Sequence, residues 1–253
     1  MLSWTIWSLG IVLEGLILLR GLQGRFVSKY PFFYSYSGCV LFVSILTYFI
    51  YAENSASSGM WYWGAQLVSL IFGYGILLEI FNHVLSPYPG AERLARVAGF
   101  VVFGAIFCFS LAYPVIHSQW SPAGTMVELE RNLRTVQAIF LCGLSCVISY
   151  YAIAIGKNMK GMIAGYGLYI ATSLVSLALR SYAGIRFDEI WKVVQPLSYD
   201  VSLLVWVAAL WSYQSNPVAE RSIQLEADYE ACVAKTRSLL GGMRSSLGKV
   251  ARP

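Results

Sequence analysis

Long apolar runs separated by short polar breaks occupy most of this chain. Seven runs stand out, at residues 3–19, 32–51, 61–85, 97–116, 135–156, 161–179 and 196–214. Each is close to the roughly 20 residues that a helix needs to cross about 30 Å of hydrocarbon. Hydrophobicity within them is continuous and does not alternate, so barrel strands are not predicted. Lipid offers the backbone no hydrogen bonds, and uniform runs of this length satisfy their own by forming helices. The pattern predicts an all-α fold, a bundle of seven transmembrane helices over 1–215.

Residues 216–253 have a different pattern. Asn216-Pro217 suits an N-cap followed by proline at the first helical position. Val218, Leu225, Tyr229, Cys232, Leu239, Leu240 and Met243 then recur at helical spacing. Acidic residues come early (Glu220, Glu226, Asp228, Glu230) and basic ones late (Lys235, Arg237, Arg244), in the order a helix dipole favours. A C-terminal amphipathic helix is predicted, fraying at Gly241-Gly242. Leu225, Tyr229, Leu239 and Met243 are its candidate docking residues, against the membrane, the bundle floor or a partner. Before the fifth run, Thr125 and Glu128 fit a capping box, which would start that helix about two turns above the membrane.

Composition narrows the class. Of 253 residues, 57% are hydrophobic and only 12% charged, with a mean hydropathy of +0.61. That is too little polar surface for a soluble domain and too much apolar mass for a disordered chain. Five cysteines, an odd number, exclude a disulfide scaffold, and no disulfide is expected in the outer loops. Residues 1–19 lack a basic n-region and a small-residue cleavage site, and they carry Glu14; a retained first span is expected rather than a signal peptide.

Charge gives an orientation. With the N-terminus outside, inner segments and tail hold thirteen of the lysines and arginines and outer segments hold five. The bias predicts N-out and C-in, with the tail helix cytoplasmic. The formal charge of +5 follows from that topology and from attraction to anionic lipid, so nucleic acid is not a predicted partner. The expected setting is a multi-pass protein of a bacterial inner membrane.

Charged groups inside a membrane are costly and are the default functional candidates. Glu14 falls about 16 Å into the first span, near the midplane. Glu79 precedes His83 by four residues, which puts both on one helix face, with Asn82 adjacent and Tyr74 further along. This group suits a proton relay, a metal half-site, a pH-sensitive latch or an interfacial pair. Asp200 lies about one turn below the outer surface, where it would snorkel or pair with Lys192 or Arg180. Cys142 and Cys146, four apart, read as small hydrophobes. Gly161 and Gly165 make a close-packing face for the bundle or for a homo-oligomer through the sixth helix.

Several chemistries are excluded. The two histidines, His83 and His117, belong to opposite ends of the bundle, so one chain cannot offer both to one metal or haem. H-E-x-x-H, G-x-S-x-G and phosphate-loop motifs are missing. No catalytic residue, metal or cofactor is assigned. The layout resembles that of rhodopsins and seven-helix receptors in topology only. The seventh run holds no lysine for a retinal Schiff base, and the third ends Glu79-Ile-Phe-Asn82-His83 where a receptor has D/E-R-Y. No 3+1+3 sugar-transporter repeat is evident. The sequence therefore predicts a non-enzymatic membrane module that binds a ligand, lipid or partner in its bundle and presents its tail to a cytoplasmic protein. The alternative is a small proton-coupled transporter using Glu14 and the Glu79/His83 pair, and an intramembrane enzyme ranks last.

Overall fold

The computed structural model describes the backbone of residues 2–52, 58–116, 122–214 and 223–250 and the side chains of 5–47, 64–116, 124–179, 193–214 and 225–240. Among the described residues every element is a helix: α1 (Leu2–Gln23), α2 (Pro31–Ala52), α3 (Ser58–Leu85), α4 (Pro89–Ile116), α5 (Pro122–Tyr150), α6 (Lys157–Leu210) and α7 (Ile223–Val250). Six described segments are long and apolar enough to cross a membrane: Thr5–Gln23, Gly64–Leu85, Pro89–Ile116, Gly124–Tyr150, Lys157–Leu179 and Val193–Leu210. α2 adds the shorter apolar stretch Pro31–Thr47.

The sixth and seventh predicted runs both lie in α6, as two arms that fold back on each other. Asn158 Nδ2 donates to the carbonyls of Ala209 (3.1 Å) and Ser212 (3.0 Å). A straight helix would hold residues 51 positions apart about 75 Å from each other, so the chain reverses between Leu179 and Val193. Gly161 and Gly165, the predicted close-packing face, meet Ala209 and Trp206 of the same chain.

Successive segments run antiparallel. Gly21 packs on Tyr34, Gly75 on Phe32, Gly99 on Tyr74 and Gly167 on Leu141, while Asn132 bonds Ser110 at 3.0 Å. The second arm of α6 lies parallel to α1 and closes the bundle, with Arg20 Nε donating to the Trp211 carbonyl at 2.7 Å. α3 is central and touches α2, α4, α5 and α6.

The core is apolar, and so is much of the exterior. Val101 (63% exposed), Phe109 (63%) and Ile116 (74%) face outward from α4, while Glu14, Glu79, Glu130, Arg134 and Asp200 are buried. Apolar exteriors with polar groups turned inward are what a lipid solvent selects.

Helix ends depart from the sequence expectations. α5 begins at Pro122, a good first-turn residue, and Thr125 Oγ1 is buried without a partner, so the expected capping box is not formed. The earlier start carries Glu130 and Arg134 into the packed part of the helix. Two helices stop where a non-glycine residue turns left-handed, Arg25 (φ 53°) after α1 and Ala152 (φ 48°) after α5. Each turn has the Schellman six-to-one bond, Phe26 N to Gly21 O (2.9 Å) and Ile153 N to Ile148 O (3.0 Å). α7 runs through Gly241-Gly242 to Val250 and does not end there. The predicted cap at Asn216-Pro217 lies outside the described residues.

Candidate functional site

One face of α1 presents Gly10 and, one turn on, Glu14 to the second arm of α6. Tyr199 donates its hydroxyl to Glu14 Oε1 at 2.5 Å. Glu14 is 1% exposed and Asp200 3%, and Glu14 Oε2 and Asp200 Oδ2 have no hydrogen-bond partner. Asp200 Oδ1 lies 2.9 Å from where a Cβ on Gly10 would stand, so a larger residue there would push on the aspartate carboxylate. Asp200 is thus a buried group at the Glu14 seam. The side chains of Arg180 and Lys192, its expected partners, lie outside the described residues. A small cleft further along the seam is lined by Leu16, Ile17, Arg20, Val207, Leu210 and Trp211.

The polar group on α3 does not converge. Glu79 turns to α2, accepting from Phe32 N (3.1 Å, Oε1) and Phe33 N (2.9 Å, Oε2). α2 opens with Tyr30-Pro31 and has no acidic residue in its first turn, so its free N–H groups take their cap from another helix. The His83 Nδ1 lies 2.9 Å from the Glu79 backbone carbonyl oxygen, and its ring packs on Tyr30 with centroids 5.0 Å apart. Asn82 Oδ1 accepts from Arg96 Nη2 at 3.2 Å, and Arg96 also pairs with Glu92. Tyr74 stacks on Phe103 (centroids 4.0 Å) with its hydroxyl against Gly99.

A further polar cluster was not anticipated. Arg134, 2% exposed, pairs through Nε with Glu130 Oε1 at 2.8 Å and donates from Nη2 to the Tyr169 hydroxyl at 3.0 Å. Its guanidinium also lies 4.8 Å from the Tyr169 ring centroid. Gln66 Nε2 donates to the same glutamate oxygen at 2.5 Å. The Tyr36 hydroxyl, from α2, is paired with Tyr169, whose ring lies 5.4 Å from that of Tyr199. Tyrosines therefore link the buried Glu130–Arg134 pair to the Glu14 seam, joining α1, α2, α3, α5 and both arms of α6. A usable signal was present in the sequence: Glu130 and Arg134 are four apart within a Leu129, Leu133, Val136 stripe.

At the end of the bundle where α1, α3, α5 and the second arm of α6 finish, α7 rests on α4. Leu225 is buried, and Tyr229 covers Gly90. The Tyr151 hydroxyl donates to Asp228 Oδ2 at 2.9 Å, and that bond raises the Tyr151 pKa above its ordinary value. Leu239 and Leu240 are each 60% exposed, and the Met243 side chain lies outside the described residues. No described group of three or more His, Cys, Asp or Glu side chains could hold a metal ion. Cys142 and Cys146 face outward.

Apolar exterior, long apolar helices and buried charge together define a multi-pass integral membrane helical bundle. Over 83 residues the chain is 35% identical to cytochrome c oxidase subunit 3 of Thermostichus vulcanus. That similarity covers 32% of this chain, which spans 40% of the relative's length. No known family and no solved structure matches the chain.

Proposed function

We propose that the protein is a non-enzymatic subunit-like module of a bacterial inner membrane. In this proposal it crosses the bilayer seven times, N-out and C-in, and presents α7 to a cytoplasmic protein partner. The carrying observation is that the buried charges are used between helices: Glu79 caps α2, and Arg134 ties Glu130 to Tyr169. Groups committed in this way hold a scaffold together and do not form one path for a substrate. The name of the relative, a subunit of an oxidase, is in keeping with a supporting role in a larger membrane assembly. Leu239 and Leu240 provide the exposed apolar part of the α7 stripe.

A proton-coupled carrier remains the second proposal, favoured by the unpartnered oxygens at the Glu14 seam. Of its other proposed pair, Glu79 accepts from the α2 backbone and His83 Nδ1 lies at the Glu79 carbonyl oxygen. The test is assembly size in gently solubilised native membranes, for the full chain and for Leu239→Glu/Leu240→Glu. The proposal predicts a complex larger than the chain and its micelle, reduced in the double variant. Identical sizes would count against α7 as the docking element.

A further inference from the structure

The Glu14–Asp200 seam places two carboxyl groups inside the bundle with one unpartnered oxygen each. Both side chains are at least nine-tenths buried. Gly10, one helical turn from Glu14, keeps its Cα against Asp200 Oδ1, so the two acids occupy the same stretch of the α1–α6 contact. Two ionised carboxylates in such a place would each lose their hydration and would repel one another. Tyr199 relieves one oxygen of Glu14 and leaves the opposite one bare.

Among the described residues, the facing groups on the neighbouring elements are tyrosines or already paired charges. Tyr199 lies on the second arm of α6, Tyr169 on the first arm and Tyr36 on α2. Arg134 of α5, the cation in this network, is held by Glu130 and by Tyr169, one residue removed from Tyr199. Its charge is therefore already balanced by a carboxylate on its own helix.

We propose that Glu14 and Asp200 form a proton-binding site in the membrane interior, with Tyr199 as its positioning residue and a hydrogen ion as its ligand. In the loaded form the proton is bonded to one of the two oxygens that lack a partner, Glu14 Oε2 or Asp200 Oδ2. On release that O–H bond breaks, the proton passes to water, and the electron pair stays on the carboxylate. The Tyr199 O–H continues to donate to Glu14 throughout. Because the acids are neighbours, the proton belongs to the pair and each residue alters the affinity of the other. The site is independent of any partner on α7.

Infrared difference spectroscopy of the full chain in lipid nanodiscs tests the site, following the carbonyl band of protonated carboxylic acid through a pH titration. Wild-type protein should show this band at about pH 7, where an ordinary exposed carboxyl has lost its proton. Glu14→Gln and Asp200→Asn should each lower its intensity by the equivalent of about one proton or shift its titration midpoint by more than about one pH unit. Gly10→Ala, which crowds Asp200, should shift the midpoint and keep the band, and it serves if the acid variants fail to fold. Repeating the titration with and without sodium, and with Lys192→Met, should leave the band unchanged. Three results would overturn the proposal: no protonated band in wild-type protein at about pH 7, a band insensitive to all three seam variants, or a band that appears only when sodium or Lys192 is removed. The last would mean that a metal ion or a lysine, not a proton, balances the pair.

Discussion

Single residues in this protein act mainly across helix seams. Glu79 is the clearest case, a carboxylate on α3 that serves as the N-terminal cap of α2. Glu79→Ala would strip one buried and one part-buried N–H group of their acceptor, and a loss of about 2 kcal/mol is expected in thermal unfolding in detergent. An unchanged melting curve would show that α2 finds its cap elsewhere. Arg134→Met should cost about 3 to 5 kcal/mol by leaving Glu130 buried and unpaired, and adding Glu130→Gln should recover part of it. Arg25 and Ala152 are the reverse case, because each holds a left-handed turn that glycine adopts without strain. Either residue replaced by glycine should stabilise the protein by up to about 1 kcal/mol, checked by the same melts. The sequence exposed Glu14, Glu79 and Asp200 as interior charges, because a carboxylate within an apolar run is conspicuous. It did not reveal the partners. The N–H groups that Glu79 caps are 46 and 47 positions away, beyond the reach of any spacing rule. Glu130 and Arg134 precede the fifth apolar run, which begins at residue 135, so the sequence pattern set them above the membrane and not in the packed bundle.

At the level of elements, apolar runs located the helices well and their ends poorly. α4 extends eight residues ahead of its run to Pro89, since Ala91, Glu92 and Arg93 form helix as readily as apolar residues do. α5 ends at Tyr150 although its run continues to 156, because the Ala152 turn terminates the helix. For α7, spacing indicated an amphipathic helix but could not tell which part would dock. Its first turns are held by Leu225, by Tyr229 on Gly90 and by the Tyr151–Asp228 bond, and Leu239 and Leu240 stay exposed. The Asp228 bond favours the protonated form of Tyr151 and raises its pKa. Its contribution to docking is therefore present below the ordinary tyrosine range, near pH 10, and is lost as pH climbs through the raised value. A spin-label distance between α4 and α7 should lengthen or broaden at that alkaline limb in wild-type protein. Tyr151→Phe should remove the pH dependence, and a limb that persists in the variant would assign it to another group.

For the molecule as a whole, the bilayer explains the arrangement of polar and apolar surfaces. The exterior of α4 would be an aggregation hazard in water and is well solvated in hydrocarbon. The antiparallel order of the segments, and α1 lying parallel to the second arm of α6, place the ends of α1, α3, α5 and that arm at one end of the bundle. Arg20, Arg25, Lys29, Arg93, Arg96, Lys157 and Lys160 gather at this same end, the one where α7 rests. The central claim is that this cation-rich end is cytoplasmic and that an odd number of crossings separates it from the N-terminus. Face-restricted thiol labelling of intact cells tests it most directly, using single cysteines at Ser28 and Ser118 in an otherwise cysteine-free chain. Ser118→Cys should label in intact cells, and Ser28→Cys only after the membrane is permeabilised. Labelling of both from outside, or of Ser28→Cys alone, would contradict the account.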